Sequence, residues 1–106
     1  MLGDNKEEYE MAANLPIKTR VLEWCILNDR PICARELTAI LQKEYPGEAH
    51  VNEKRIDNTL DCYCRVGFME PASLNNELGE DLVEYRITEA GKEELKYIPG
   101  HGNKAF

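Results

Sequence analysis

The sequence predicts an α+β domain of three helices, a two-stranded hairpin and a last helix. Three observations carry that expectation. Ile56, Leu60, Tyr63 and Cys64 recur at the i, i+4, i+7, i+8 spacing of a buried helical stripe. Asn52 stands before that stripe as an N-cap acceptor, and Gly67 follows its last turn where a left-handed residue ends a helix. Residues 68–74 and 82–87 then read as two strands around the turn-rich segment 75–81, with Val83, Tyr85 and Ile87 alternating along the second.

Residues 1–14 form a leader with four acids against Lys6, a composition that predicts disorder. Leu15 and Pro16 open the first helix, because proline suits a helix start. Its inner stripe is Ile17, Val21, Leu22 and Cys25, widened by Trp24 or Ile26, and it stops near Asn28 and Asp29 ahead of Pro31. A short extended link through Ile32 leads to Cys33, which stands three residues before Glu36 in a capping-box layout. The second helix follows with Leu37, Ile40 and Leu41 inward, and Tyr45, Pro46 and Gly47 close it. A loop over 48–50 reaches the central helix at about 52–66. Pro71 confines the first strand of the hairpin to a sheet edge or an irregular end. Thr88 caps a last helix over 89–97, with acids in its first turn. The domain is thus expected over 15–98, with a flexible tail over 99–106.

Composition bounds the function. A chain of 106 residues is one small domain, and 42% apolar residues suffice for its core. No run of about 18 apolar residues occurs, so no membrane span is expected. The acidic start lacks the apolar stretch of a signal peptide. Cys25, Cys33, Cys62 and Cys64 therefore read as reduced thiols of a cytoplasmic protein. The formal net charge is −7, the wrong sign for an ordinary nucleic-acid binder.

The order of elements, the helix ending in Gly67, Phe68 and Met69, and the phrase YRITEAG at 85–91 resemble the winged helix-turn-helix superfamily. The phrase looks like the wing-to-helix junction of multiple-antibiotic-resistance-type and phenolic-acid-type repressors. The resemblance covers about residues 15–98. It implies a three-helix core, a two-stranded β-wing and a C-terminal helix. It also implies a DNA-binding transcriptional regulator that uses the central helix as its recognition helix. The surface carried over includes Asn52, Lys54, Arg55 and Asn58, with Arg35 as a backbone contact from the preceding helix. Asn58 suits an adenine edge, and Lys54 or Arg55 a guanine or a phosphate. Regulators of this class reach affinity as dimers, so a weak homodimer through the last or the first helix is expected, with Leu95 and Ile98 available for it.

Charge opposes part of this. Glu53, Asp57 and Asp61 share the central helix, and Asp61 is placed to pair with Arg65 at i, i+4. Residues 15–69 are electrically balanced and offer a basic surface around Lys18, Arg20, Arg35, Lys54 and Arg55. Residues 70–86 carry Glu70, Glu77, Glu80, Asp81 and Glu84 against Arg86 alone. Such a wing repels phosphate. A second reading therefore stands beside the first: a protein-interaction module whose acidic wing meets a basic partner, with no direct DNA contact. A solvated polar face without any ligand is the third.

Catalytic chemistry is not expected. Cys62 and Cys64 splay by about 200° on a helix, too far apart to share an ion. His50 and His101 stand alone. No orienting third group accompanies a Cys–His pair, and no glycine-rich phosphate loop occurs. No metal and no cofactor is expected.

Overall fold

Helix α1 (Ile17–Asn28) buries a broad face carrying Val21, Leu22, Trp24, Cys25 and Ile26. Both side chains considered for widening its stripe, Trp24 and Ile26, are therefore interior. The computed structural model describes residues 15–75 and 82–101. The expected leader 1–14, the hairpin tip and residues 102–106 lie outside the described residues. Asp29 ends α1 in the left-handed conformation at φ 48°, and its N–H returns to the Cys25 carbonyl. Short polar side chains tolerate that conformation better than other non-glycine residues do.

Strand β1 (Ile32–Cys33) follows, then α2 (Ala34–Glu44) and α3 (Glu53–Arg65). Cys33 precedes α2 with extended backbone but makes no side-chain cap. Its thiol is buried instead, which is the ordinary fate of a small apolar side chain. Asn52 does cap α3: its Oδ1 accepts from the Arg55 N–H at 3.0 Å.

The far end of α3 explains why Gly67, Phe68 and Tyr63 occur together. Gly67 takes φ +91°, its N–H donates to the Cys64 carbonyl, and the Phe68 N–H donates to the Tyr63 carbonyl. This pair of bonds is the Schellman closure, and the Tyr63–Phe68 ring contact at 6.2 Å is its apolar clasp.

Strands β2 (Met69–Asn75) and β3 (Leu82–Ile87) pair antiparallel, Met69 facing Ile87 and Asn75 facing Leu82. The pairing slips between Pro71 and Ser73, so the proline sits at an irregularity on an edge strand. The expected two-stranded hairpin is one part of a three-stranded sheet in the order β1-β3-β2, because Ile32 pairs with Tyr85 and Cys33 with Glu84. The link through Ile32 thus satisfies its backbone groups on β3.

The last helix also departs from expectation. Instead of one helix over 89–97, α4 spans Glu89–Glu93 and a 3₁₀ turn spans Glu94–Tyr97. Thr88 caps α4 through its Oγ1, which accepts from the Gly91 N–H at 3.1 Å and donates to the Gly67 carbonyl at 2.7 Å. The tighter turn accompanies the inward course of Ile98, which is buried, while Leu95 packs against the core. The two side chains expected to be spare for dimerisation are thus used by the chain itself.

The core is one cluster. Ile56 and Leu60 of α3 lie fully buried among Leu22, Cys25, Leu37, Leu41 and Met69, with Tyr63 packed at its margin. Along β3, Tyr85 and Ile87 are buried but Val83 is exposed. The result is an α+β fold in which α3 is held against α1, α2 and β2 with one side outward.

Candidate nucleic-acid interface

The outward side of α3 is set by its buried side. With Ile56, Thr59 and Leu60 inward, Lys54, Arg55, Asp57, Asn58 and Cys62 face solvent. The Thr59 hydroxyl donates to the Arg55 carbonyl within the helix and needs no outside partner.

The three carboxylates of α3 each meet a neighbour. Glu53 accepts from Arg35 Nε at 3.4 Å, Asp57 from the Tyr85 hydroxyl at 3.4 Å, and Asp61 pairs with Arg65 at 2.9 Å. These are exposed or long contacts worth little stability. Their effect is on the field: Glu53 and Asp61 each lie against a guanidinium. Burial, and next the Asp57 carboxylate, push the Tyr85 hydroxyl up to about 12. It therefore stays a donor at neutral pH.

The five expected interface residues divide. Asn52 is spent locally, because its Nδ2 also donates to the Ala49 carbonyl at 2.9 Å. Arg35, in the first turn of α2, leans toward Glu53. Lys54, Arg55 and Asn58 are exposed and make no side-chain hydrogen bond or ion pair among the described residues. Lys54 and Asn58 are one turn apart on the same side, and Arg55 and Asn58 border one groove facing the start of α1.

Elsewhere the arginines are matched, while Lys18, Lys43 and Lys96 carry no ion pair among the described residues. Arg20 bridges Glu23 and Glu44, each at 2.9 Å, and so leaves the expected basic surface. Arg30 pairs with Glu36, Arg86 with Glu70, and Lys92 with Asp29 and Glu89. Arg55 is the arginine without an ion pair among the described residues. This matching is a tertiary property: Glu44 is 24 positions from Arg20, so spacing alone gives no sign of it.

The acidic patch expected on the hairpin is represented here by Glu70 and Glu84, since 77, 80 and 81 lie outside the described residues. Glu70 holds Arg86, and Glu84 accepts from the Ser73 hydroxyl at 2.6 Å. Cys62 is exposed, Cys64 half-buried, and Cys25 and Cys33 are buried. Among the described residues no three His, Cys, Asp or Glu side chains converge, and no helix is long and apolar enough to cross a membrane. His50 lies beside Glu48, and His101 is held against Glu23. No protein-family model, no curated protein and no solved structure matches the chain.

Proposed function

We propose that this chain is a winged helix-turn-helix protein that binds double-stranded DNA as a transcriptional regulator, with α3 as its recognition helix. One observation carries the reading. On the exposed side of α3, Lys54, Arg55 and Asn58 are without side-chain partners among the described residues, while Glu53, Asp57 and Asp61 are each engaged locally. Unpaired cations beside an amide are the donors that phosphates and purine edges accept from. The order of elements and the β1-β3-β2 sheet support the same reading. Asn52 has a capping role here, and Arg35 is a secondary contact at most, because Glu53 offsets its charge. The test is titration of mixed-sequence duplex with the parent and with a Lys54→Ala/Arg55→Ala double variant. Loss of binding in the variant is expected; parental affinity would exclude this surface.

The net charge of −7 and the acids of the hairpin favour a second reading, an interaction module for a basic protein. Failure of the parent to bind duplex at low salt would select it.

Two copies on adjacent half-sites belong to the proposal. With Leu95 and Ile98 used internally, the large exposed apolar side chains on the first and last helical segments are Leu27 and Tyr97 among the described residues. Light scattering should show association at high micromolar concentration. A monomer there, unchanged by Leu27→Glu, would remove the pair.

A further inference from the structure

A groove of about 440 Å³ separates the start of α1 from the exposed side of α3. Pro16 and Ile17 give it an apolar wall, and Lys18, His50, Arg55 and Asn58 give it donors. No carboxylate lines it among the described residues. The nearest acid along the chain to His50 is Glu48, whose carboxylate accepts the His50 backbone N–H at 3.1 Å and lies 3.9 Å from the His50 ring Nδ1, outside the groove lining. Lys18 is exposed and has no ion pair among the described residues. The groove is also held in shape: the Tyr63 hydroxyl of α3 donates to the Lys18 carbonyl at 2.7 Å, which fixes the start of α1. On the other flank of α3, a second groove holds Glu53 and Asp57 beside Arg35, Val83 and Tyr85. The recognition helix therefore has a cationic flank toward α1 and an acidic flank toward the hairpin.

We propose that the phosphodiester backbone of duplex DNA lies in the α1–α3 groove, with Lys18 and His50 as phosphate contacts and deoxyribose against Pro16 and Ile17, while the hairpin stands away from the duplex. This rests on the reading of α3 as a DNA-binding helix and adds where the backbone runs. An amphipathic groove with donors at its rim matches a sugar–phosphate chain, which alternates an apolar ring with an anion. No Phe, Tyr or Trp side chain lines the groove among the described residues, and the lone His50 ring makes a poor stacking platform of the kind single strands use. The acidic flank repels the same phosphates that Lys18 and Arg55 attract.

The test compares Lys18→Ala with Lys43→Ala in the full chain, by anisotropy of a labelled mixed-sequence duplex over a salt series. Lys43 is exposed on the last turn of α2, outside the groove, and its loss changes the net charge equally. The Lys18 variant should bind several-fold more weakly at low salt, with a salt slope shallower by about 0.9, the value of one phosphate contact. The Lys43 variant should keep the parental slope. As a second readout, bound duplex should slow alkylation of Cys62, the exposed thiol that borders the groove. Equal losses in both variants, or a parental slope in the Lys18 variant, would overturn the groove. If the Lys54/Arg55 variant still loses binding in that case, the reading of α3 stands without it. A parent that binds no duplex at low salt overturns both.

Discussion

Leu60 sits at the centre of α3 and is fully buried. Its truncation to Ala removes methyl groups that touch side chains of several elements and leaves a cavity. A cost of roughly 2–5 kcal/mol is expected from such sites, measurable as a lower urea midpoint at unchanged slope. A loss below 1 kcal/mol would mean that the helices close over the gap, which these packed neighbours oppose. Gly91 is constrained from outside its own backbone. A Cβ there would lie 2.2 Å from the Phe68 carbonyl oxygen and 2.6 Å from Ile87 Cδ1. Gly91→Ala should therefore destabilise by about 1–3 kcal/mol through overpacking, despite alanine's better helix propensity. A variant as stable as the parent in the same denaturation assay would contradict the close approach of α4 to the hairpin.

At the scale of elements, tyrosine hydroxyls tie segments that are distant in sequence. Tyr63 joins α3 to the start of α1, Tyr45 donates to the Leu15 carbonyl at 2.6 Å, and Tyr85 joins β3 to α3. Burial pushes the Tyr63 hydroxyl up to about 12, and burial with Asp57 does the same for Tyr85. Burial likewise moves the Cys25 thiol from 9.0 to about 12. In the unfolded chain these groups lose their protons near their ordinary values, while the folded chain retains them. Their contribution to stability is therefore present below about pH 9 and is lost as pH rises from there toward 12. The urea midpoint should be lower at pH 11 than at pH 8, and Tyr63→Phe should reduce that difference. Equal midpoints at the two pH values would contradict the burial of these groups.

The helices that the sequence shows best are those whose signals are local. α3 has a stripe, a cap and a terminal glycine within sixteen positions, from Asn52 to Gly67, and it forms where they point. β1 has two residues, too few for any period, and exists because β3 arrives some fifty positions later to pair with it. The division of the last helix is similar: its pattern suits one helix, but burial of Ile98 is decided by the rest of the core.

For the whole molecule, the proposed reading requires a chain of net charge −7 to present a cationic surface to DNA. Residue types alone offer Lys18, Arg20, Arg35, Lys54 and Arg55 as a basic surface. The fold removes Arg20 into a bridge with Glu23 and Glu44 and sets Arg35 against Glu53. Lys18, Lys54 and Arg55 are left without ion pairs among the described residues. That selection was not legible in the sequence, because it depends on contacts between α1, α2 and α3. Under the proposed DNA-binding reading, so few cations on this surface imply weak binding with a shallow salt dependence, since each neutralised phosphate adds about 0.9 to the slope.

The most direct measurement is anisotropy of a labelled mixed-sequence duplex titrated with the full chain at low and at moderate salt. Saturable binding is expected at low salt, weakening as salt rises and disappearing in the Lys54→Ala/Arg55→Ala variant. Absence of binding at low salt, or undiminished binding by that variant, would contradict the proposed reading.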